Sequence, residues 1–249
     1  MAALRVDQAL VERGLCTSRE KACRAIMAGQ VLVNNQPARK PSDRVRPEDQ
    51  LELTVSERYV SRGGTKLEHA LCHFKLEVQG VTAIDLGAST GGFTDCLLQH
   101  GAARVFAVDV GQGQLAWKLR SDPRVVVMER TNARQLTPAG FPQPFRPADL
   151  VVIDCSFISL TRILPVAIAM VRESGRVAAL IKPQFEAGKA EADKGRGVIT
   201  DPAIHARILQ EMADFVGRQP GVKWHGTTES PLLGPAGNRE FFALIEKTG

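Results

Sequence analysis

From residue 81 onward, five nearly continuous apolar runs recur, VTAIDLG, RVFAVDVG, RVVVME, DLVVIDC and RVAALIKP, with stretches of helical character between most of them. A strand with one wet face alternates apolar and polar residues. These runs do not, so both of their faces are covered, as in a parallel sheet held between two helical layers. The expected class is therefore α/β, with a doubly wound sheet. GFTDCLLQ, a segment through Trp117 and Leu119, and ISLTRILPVAIAMVRE supply crossover helices. After a further helix, DPAIHARILQEMADFV, the runs VKWHGTTES and REFFALIEK joined by PLLGPAGN predict an antiparallel closing hairpin. Upstream, ERYVSRGGTKL precedes the sheet. Gly63 and Gly64 are expected to form a sharp turn, with a helix starting at Lys66 and running through Leu67, Ala70, Leu71 and Phe74.

The first residues have a different organisation. LRVDQALVERGL puts Leu4, Val6, Ala9, Leu10 and Val11 near one face of a short helix that Gly14 ends. Thr17 and Glu20 have the spacing of a reciprocal cap for a second helix, which buries Ala22 and Ile26 and stops at Gly29. VLVN, a turn at Asn34-Asn35, and QLELTV predict short strands. This small α+β unit is assigned to residues 1–58 and the larger one to residues 59–249. Seven lysines and arginines between Cys16 and Arg46 face two acids, so this stretch alone carries an excess equal to the +5 of the whole chain. Arg5, Arg19, Lys21, Arg24, Arg39 and Lys40 are the candidate phosphate contacts. Singly, each reads equally well as a solvated side chain; as a set, they favour a polyanion.

Composition narrows the class further. The longest apolar runs, such as Ile163 to Val171, fall short of the roughly 20 residues a spanning helix needs. Arg5, Asp7, Glu12 and Arg13 interrupt any signal-peptide core, so the expectation is a cytoplasmic protein without membrane association. The five cysteines form no Cys-x-x-Cys pair, which argues against a zinc ribbon or a disulfide framework. They are expected to be buried thiols, and no metal is expected.

DLGASTGGF, residues 85–93, sits between the first strand of the sheet and its helix, where such folds bind ligands. Gly87, Gly91 and Gly92 allow close backbone approach, with Ala88, Ser89 and Phe93 completing the loop. The spacing is not Gly-x-Gly-x-x-Gly, which counts against a nicotinamide cofactor. Asp109, at the end of the next strand, is placed to accept hydrogen bonds from ribose hydroxyls, and Asn132 to meet an adenine or cap a turn. Asp85 either engages the far end of the ligand or braces the loop. Lys182 ends the apolar run Val177 to Ile181, and Asp154 follows another such run, so both charges are delivered to the ligand edge of the sheet. Lys66 and Glu240, taken alone, read as a surface ion pair.

RVDQALVERGLCTSREKACRAIMAGQVLVNNQPARKPSDRV resembles the RNA-binding module named after ribosomal small-subunit protein four. SRGGTKL, DLGASTGGFTDCLLQ, GQLAWKLR, DCSFISL, KPQFE and GNREFF together resemble the TlyA-type, haemolysin-named family of ribosomal-RNA 2′-O-methyltransferases, over essentially the whole chain. The second half is similar to FtsJ-type methyltransferases with a Rossmann-like sheet. That resemblance implies S-adenosylmethionine as cofactor, ribosomal RNA or ribosomal subunits as partner, and a catalytic tetrad on Lys66, Asp154, Lys182 and Glu240. Asp154 also counts among the expected cofactor contacts. The chain departs from the family at Cys155, where an aliphatic residue is usual, and at Tyr59, where tryptophan is expected. Methyl transfer to a hydroxyl needs an aligned acceptor and a base. Lys182 is the candidate base, Asp154 its orienting partner, Lys66 the neighbouring charge and Glu240 the partner of one lysine. The competing readings are a membrane-active haemolysin and an RNA-binding assembly factor without catalysis.

Overall fold

The computed structural model describes residues 3–53, 58–188, 191, 193 and 195–249. The chain folds as two units, residues 1–57 and 58–249.

In the first unit, β1 (Leu4–Arg5) leads directly into α1 (Val6–Glu12), and α2 (Arg19–Met27) follows. The start of α2 differs from the expected reciprocal cap. Ser18, not Thr17, is the N-cap, and its hydroxyl accepts from the Lys21 amide at 3.2 Å, so Glu20 falls one residue too early to reach back. Strands β2 (Val31–Val33) and β3 (Gln36–Pro37) form a hairpin whose turn residues, Asn34 and Asn35, have φ of 50° and 63°. Asparagine tolerates this left-handed pair, which matches the twist of the flanking strands. Two small sheets result. β4 (Arg44–Val45) pairs with β1, and β5 (Leu51–Leu53) pairs with β2. Val6, Ala9, Leu10, Ala22, Ile26 and Val31 form the core beneath them.

The second unit begins with α3 (Arg62–Phe74) and continues through β6 (Thr82–Leu86), α4 (Gly92–Gln99), β7 (Arg104–Val108), α5 (Trp117–Arg120), β8 (Val125–Met128) and β9 (Ala148–Ile153). Then come α6 (Leu164–Met170), β10 (Val171–Ile181), α7 (Pro183–Glu186), α8 (Pro202–Gly217), β11 (Val222–Glu229) and β12 (Phe241–Lys247). The seven strands order as β11-β12-β10-β9-β6-β7-β8. All the pairings from β10 to β8 are parallel, and β12 is inserted antiparallel between β10 and β11. Separate apolar cores fill the two faces, one around Ile84, Ile153 and Ile181, the other around Leu67, Leu97 and Val152. The expected doubly wound sheet and closing hairpin are both present.

Two expectations are corrected. ISLTRILPVAIAMVRE is not one helix: a 3-10 turn covers Leu160–Arg162, α6 ends at Met170, and Val171 already pairs with Ala148 of β9. Pro165 lies in the first turn of α6, where its missing N–H costs nothing, so it starts a new helix rather than extending the turn. Gly63 and Gly64 do not turn the chain but lie in the first turn of α3, which starts at Arg62. A Cβ on Gly64 would fall 2.2 Å from Cγ of Tyr59, and one on Gly92 would fall 2.9 Å from the Gly64 nitrogen. The glycines thus let the starts of α3 and α4 and the Tyr59 ring pack closer than any side chain permits.

Propensity and packing make opposite predictions at Gly64. Alanine in a helix interior gains about 1 kcal/mol over glycine, whereas overpacking costs about 1–3 kcal/mol. Gly64→Ala is expected to lower the urea midpoint, and a raised midpoint would show that Tyr59 yields freely.

Candidate active site

Parallel strands end on the same edge, so β6, β9 and β10 bring Gly87, Asp154 and Lys182 together. Gly87 has φ +91°, and a Cβ there would lie 2.7 Å from the Asp154 carbonyl oxygen. The Asp154 N–H in turn donates to the Leu86 carbonyl at 2.9 Å. Next along the edge, Asp109 accepts from the Ser89 amide at 2.8 Å and from the Gly111 amide at 2.7 Å, so it shapes the glycine loop as well as facing the cleft.

The cleft has two lobes that share Gly87, Ser89, Asp154 and Ser156. One, of about 480 Å³, has Asp109, Val110, Asn132, Cys155 and Ile158 in its wall. The other, of about 280 Å³, reaches Lys66, Lys182 and Glu240 past Ala88, Gly92 and Phe93. An apolar wall with one carboxylate beside a glycine cradle fits an adenosine with a polar tail. Asn132 lines the larger lobe and also caps the turn that follows it, accepting from the Arg134 amide at 3.0 Å.

At the smaller lobe, Lys66 Nζ donates to Glu240 Oε2 at 2.5 Å, and Lys182 Nζ meets Asp154 Oδ1 at 2.6 Å. Lys66, Lys182 and Glu240 are 7%, 8% and 1% exposed, so the expected surface ion pair is in fact buried. A buried lysine and carboxylate hold one another in place, because removing either leaves an uncompensated charge at a cost of about 3–5 kcal/mol. Gly234 leaves room for Glu240: a Cβ there would lie 2.4 Å from Oε1. Lys182 Nζ also donates to Ser156 Oγ at 2.7 Å, a contact the sequence did not reveal.

The FtsJ-like methyltransferase family matches residues 59–247, and the S4 domain family matches residues 4–51. The chain belongs to the FtsJ-like methyltransferase family. It is 49% identical over 247 residues to the 16S/23S rRNA (cytidine-2'-O)-methyltransferase TlyA of Mycobacterium tuberculosis, covering 97% of this chain and 89% of TlyA. Hemolysin A of Brachyspira hyodysenteriae is 39% identical, with 96% and 98% of the two chains covered. A solved structure of a hemolysin-named protein from Streptococcus thermophilus superimposes with a TM-score of 0.75 at 43% identity, covering all of this chain and 90% of that one. The chain is an S-adenosylmethionine-dependent methyltransferase, and its cleft has the shape and donors for that cofactor.

Two of the expected contacts of the methyltransferase unit have scaffold partners. A Cβ on Gly91 would strike Leu119 Cδ1 at 2.2 Å, so the glycine makes room for α5. Asp85 is fully buried and accepts from the Thr94 hydroxyl at 2.7 Å, while its other carboxylate oxygen has no hydrogen-bond partner among the described residues. The expected buried thiols are only partly so, since Cys96 is buried and Cys72 exposed. Helical periodicity would have revealed this, because Cys72 follows the inward-facing Leu71. Lys189 and Lys194, in the segment EAGKAEADKGRGV of residues 186–198, lie outside the described residues.

In the S4 unit, Asp7 is 1% exposed and draws in two arginines: Arg5 Nε at 2.9 Å and Arg19 at 2.9 Å. Hydrogen bonding from Arg5 holds the Asp7 carboxyl well below the usual carboxylate range. Arg24 pairs with Glu20 one turn away, and Asp43 accepts from the Arg39 and Lys40 amides. The basic side chains are thus mounted on a framework of acids.

Burial pushes Asp85 up to about 7. Between pH 4 and 7 the folded state keeps a proton that the unfolded chain has lost, so stability falls as pH rises across this window and levels off above it. The span is worth on the order of 4 kcal/mol for a fully buried group. Asp85→Asn does not titrate. Urea unfolding at pH 5 and pH 8 is expected to show wild type losing more stability than the variant, and equal losses would mean that Asp85 ionises without penalty.

Proposed function

We propose that this methyltransferase modifies the 2′-hydroxyl of a ribose in ribosomal RNA, in the cytoplasm, and that its S4 unit grips folded RNA. The observation that carries the reading is the two lysine–carboxylate contacts, Lys66–Glu240, which is buried, and Lys182–Asp154, which is half-buried, on one wall of the cleft. The name of the Mycobacterium tuberculosis relative, which specifies cytidine 2′-O-methylation of 16S and 23S RNA, supports the same substrate class.

Bound S-adenosylmethionine supplies a methyl carbon on a sulfonium, ready for in-line displacement. Gly87, Ala88, Ser89, Gly92 and Phe93 cradle it, with Asp109 and Asn132 toward the adenosine. Lys182 accepts the proton of the 2′-hydroxyl, and Asp154 fixes the direction of its amine. Lys66, locked by Glu240, places a positive charge beside the acceptor and its phosphate. Holding the acceptor in line contributes about 7–11 kcal/mol in favourable cases, and a positioned base a further roughly 10²–10⁴-fold. In the S4 unit, Arg5, Arg19, Lys21, Arg24, Arg39 and Lys40 face RNA phosphates, with Asp7 presetting two of them. The haemolysin reading rests on names alone, and among the described residues no helix is long and apolar enough to cross a membrane.

Purified protein with radiolabelled S-adenosylmethionine and separated ribosomal subunits is expected to label ribose in at least one subunit. Lys182→Ala should lower that rate at least roughly 100-fold while calorimetric cofactor binding persists. Label on a base, or none despite cofactor binding, would overturn the reading.

A further inference from the structure

We infer that Ser156 is a positioning residue for methyl transfer: its hydroxyl accepts a hydrogen bond from the Lys182 amine and so turns that amine, held beside the Asp154 carboxylate, toward the acceptor hydroxyl. This rests on Lys182 being the base.

Lys182 Nζ lies 2.6 Å from Asp154 Oδ1 and 2.7 Å from Ser156 Oγ. An amine nitrogen at the end of a flexible four-carbon stem has three roughly tetrahedral positions beyond its carbon. Beside the Asp154 carboxylate alone, the nitrogen still rotates about its Cε bond, and its lone pair sweeps a cone. The directional hydrogen bond to Ser156 restricts that rotation. A neutral amine has two N–H bonds and one lone pair; with one N–H committed to Ser156, the lone pair is kept out of that direction and free to face the acceptor. Asp154, Ser156 and Lys182 all line the smaller lobe, together with Lys66 and Glu240. In the transfer, the ribose oxygen bonds to the methyl carbon as the carbon–sulfur bond breaks, its electrons staying on sulfur. The hydroxyl proton goes to that lone pair, leaving Lys182 as an ammonium with all three N–H bonds usable.

The surrounding backbone is built to keep Ser156 there. Phe157, the next residue, has φ 63°, and its largely exposed ring packs against Phe185 of α7, with the ring centroids 5.1 Å apart. A non-glycine residue persists in that left-handed conformation only where neighbours impose it. A second tie to α7 is Glu186, which accepts from the Ser159 hydroxyl at 2.6 Å and from the Leu160 amide at 2.8 Å. Glu186 follows Lys182 by one helical turn. The segment that carries the lysine therefore also pins the far end of the loop that carries Ser156, and the two move as one piece. Neither Asp154 nor the other charged tetrad members can supply this second contact, because Lys66 and Glu240 are already committed to one another.

The test compares Ser156→Ala, Ser156→Thr and Lys182→Ala by single-turnover methylation of ribosomal subunits, with S-adenosylmethionine affinity by calorimetry and thermal unfolding in parallel. Ser156→Ala is expected to lower the methylation rate roughly 3- to 10-fold, the range for loss of a hydrogen bond between neutral groups, with cofactor affinity and unfolding temperature unchanged. Ser156→Thr keeps a hydroxyl at an exposed site and should recover most of the rate. A wild-type rate in Ser156→Ala with Lys182→Ala inactive overturns the role of Ser156 and leaves the base intact. An active Lys182→Ala overturns the base assignment and this inference with it. If Ser156→Thr is as slow as Ser156→Ala, or if Ser156→Ala weakens cofactor binding as much as it slows the rate, the hydroxyl is not acting through Lys182.

Discussion

The backbone contact between the loops after β6 and β9, where Gly87 leaves no room for a side chain against the Asp154 carbonyl, is the constraint on which the site depends. It sets the distance between the glycine cradle and the strand end that presents Asp154. Parallel register does the rest: Leu86 pairs with Ile153 and Ile153 with Ala179, so the strands run out at nearly the same height and their next residues share one wall. A β-carbon at Gly87 would push the glycine loop away from the strand end that carries Asp154.

Around that contact the charged groups are assembled as pairs, each joining distant parts of the chain. Lys66 and Glu240 connect α3 with the residue just before β12, the strand inserted antiparallel into the sheet. Lys182 and Asp154 connect adjacent strand ends. Lys66–Glu240, being buried, is costly to disrupt and a weak source of net stability, so its return is geometric: with Lys182–Asp154 it holds four charged side chains in fixed positions on one wall of the cleft. Asp7 follows the same logic in the S4 unit, where one buried carboxylate fixes two arginines that would otherwise sample many rotamers.

The sheet was legible because burial on both faces leaves its mark on the central strands, and Asp154 and Lys182 were legible because charges that end apolar strands are conspicuous; Lys66 and Glu240 stood out only through the family resemblance. Other features were hidden for specific reasons. Gly63 and Gly64 carry the same local signal whether they turn a chain or admit a ring, and only the position of Tyr59 separates the two. The glycines at 87 and 91 look alike in a loop, yet one faces Asp154 and the other α5. Ser156 carries no sequence signal, since a serine after a strand is ordinary; its meaning comes from a lysine 26 positions away.

By itself, the sequence determined the layering, which strand ends carry chemistry-bearing groups and the identity of those groups, since hydrophobic period and charge placement act within a few residues. Tertiary structure alone decided the strand order, which lysine meets which carboxylate, which glycines face Asp154 and which face α5, and that Lys182 has two partners rather than one. Those outcomes depend on distances across the sheet between residues far apart in the chain, and no local pattern encodes them.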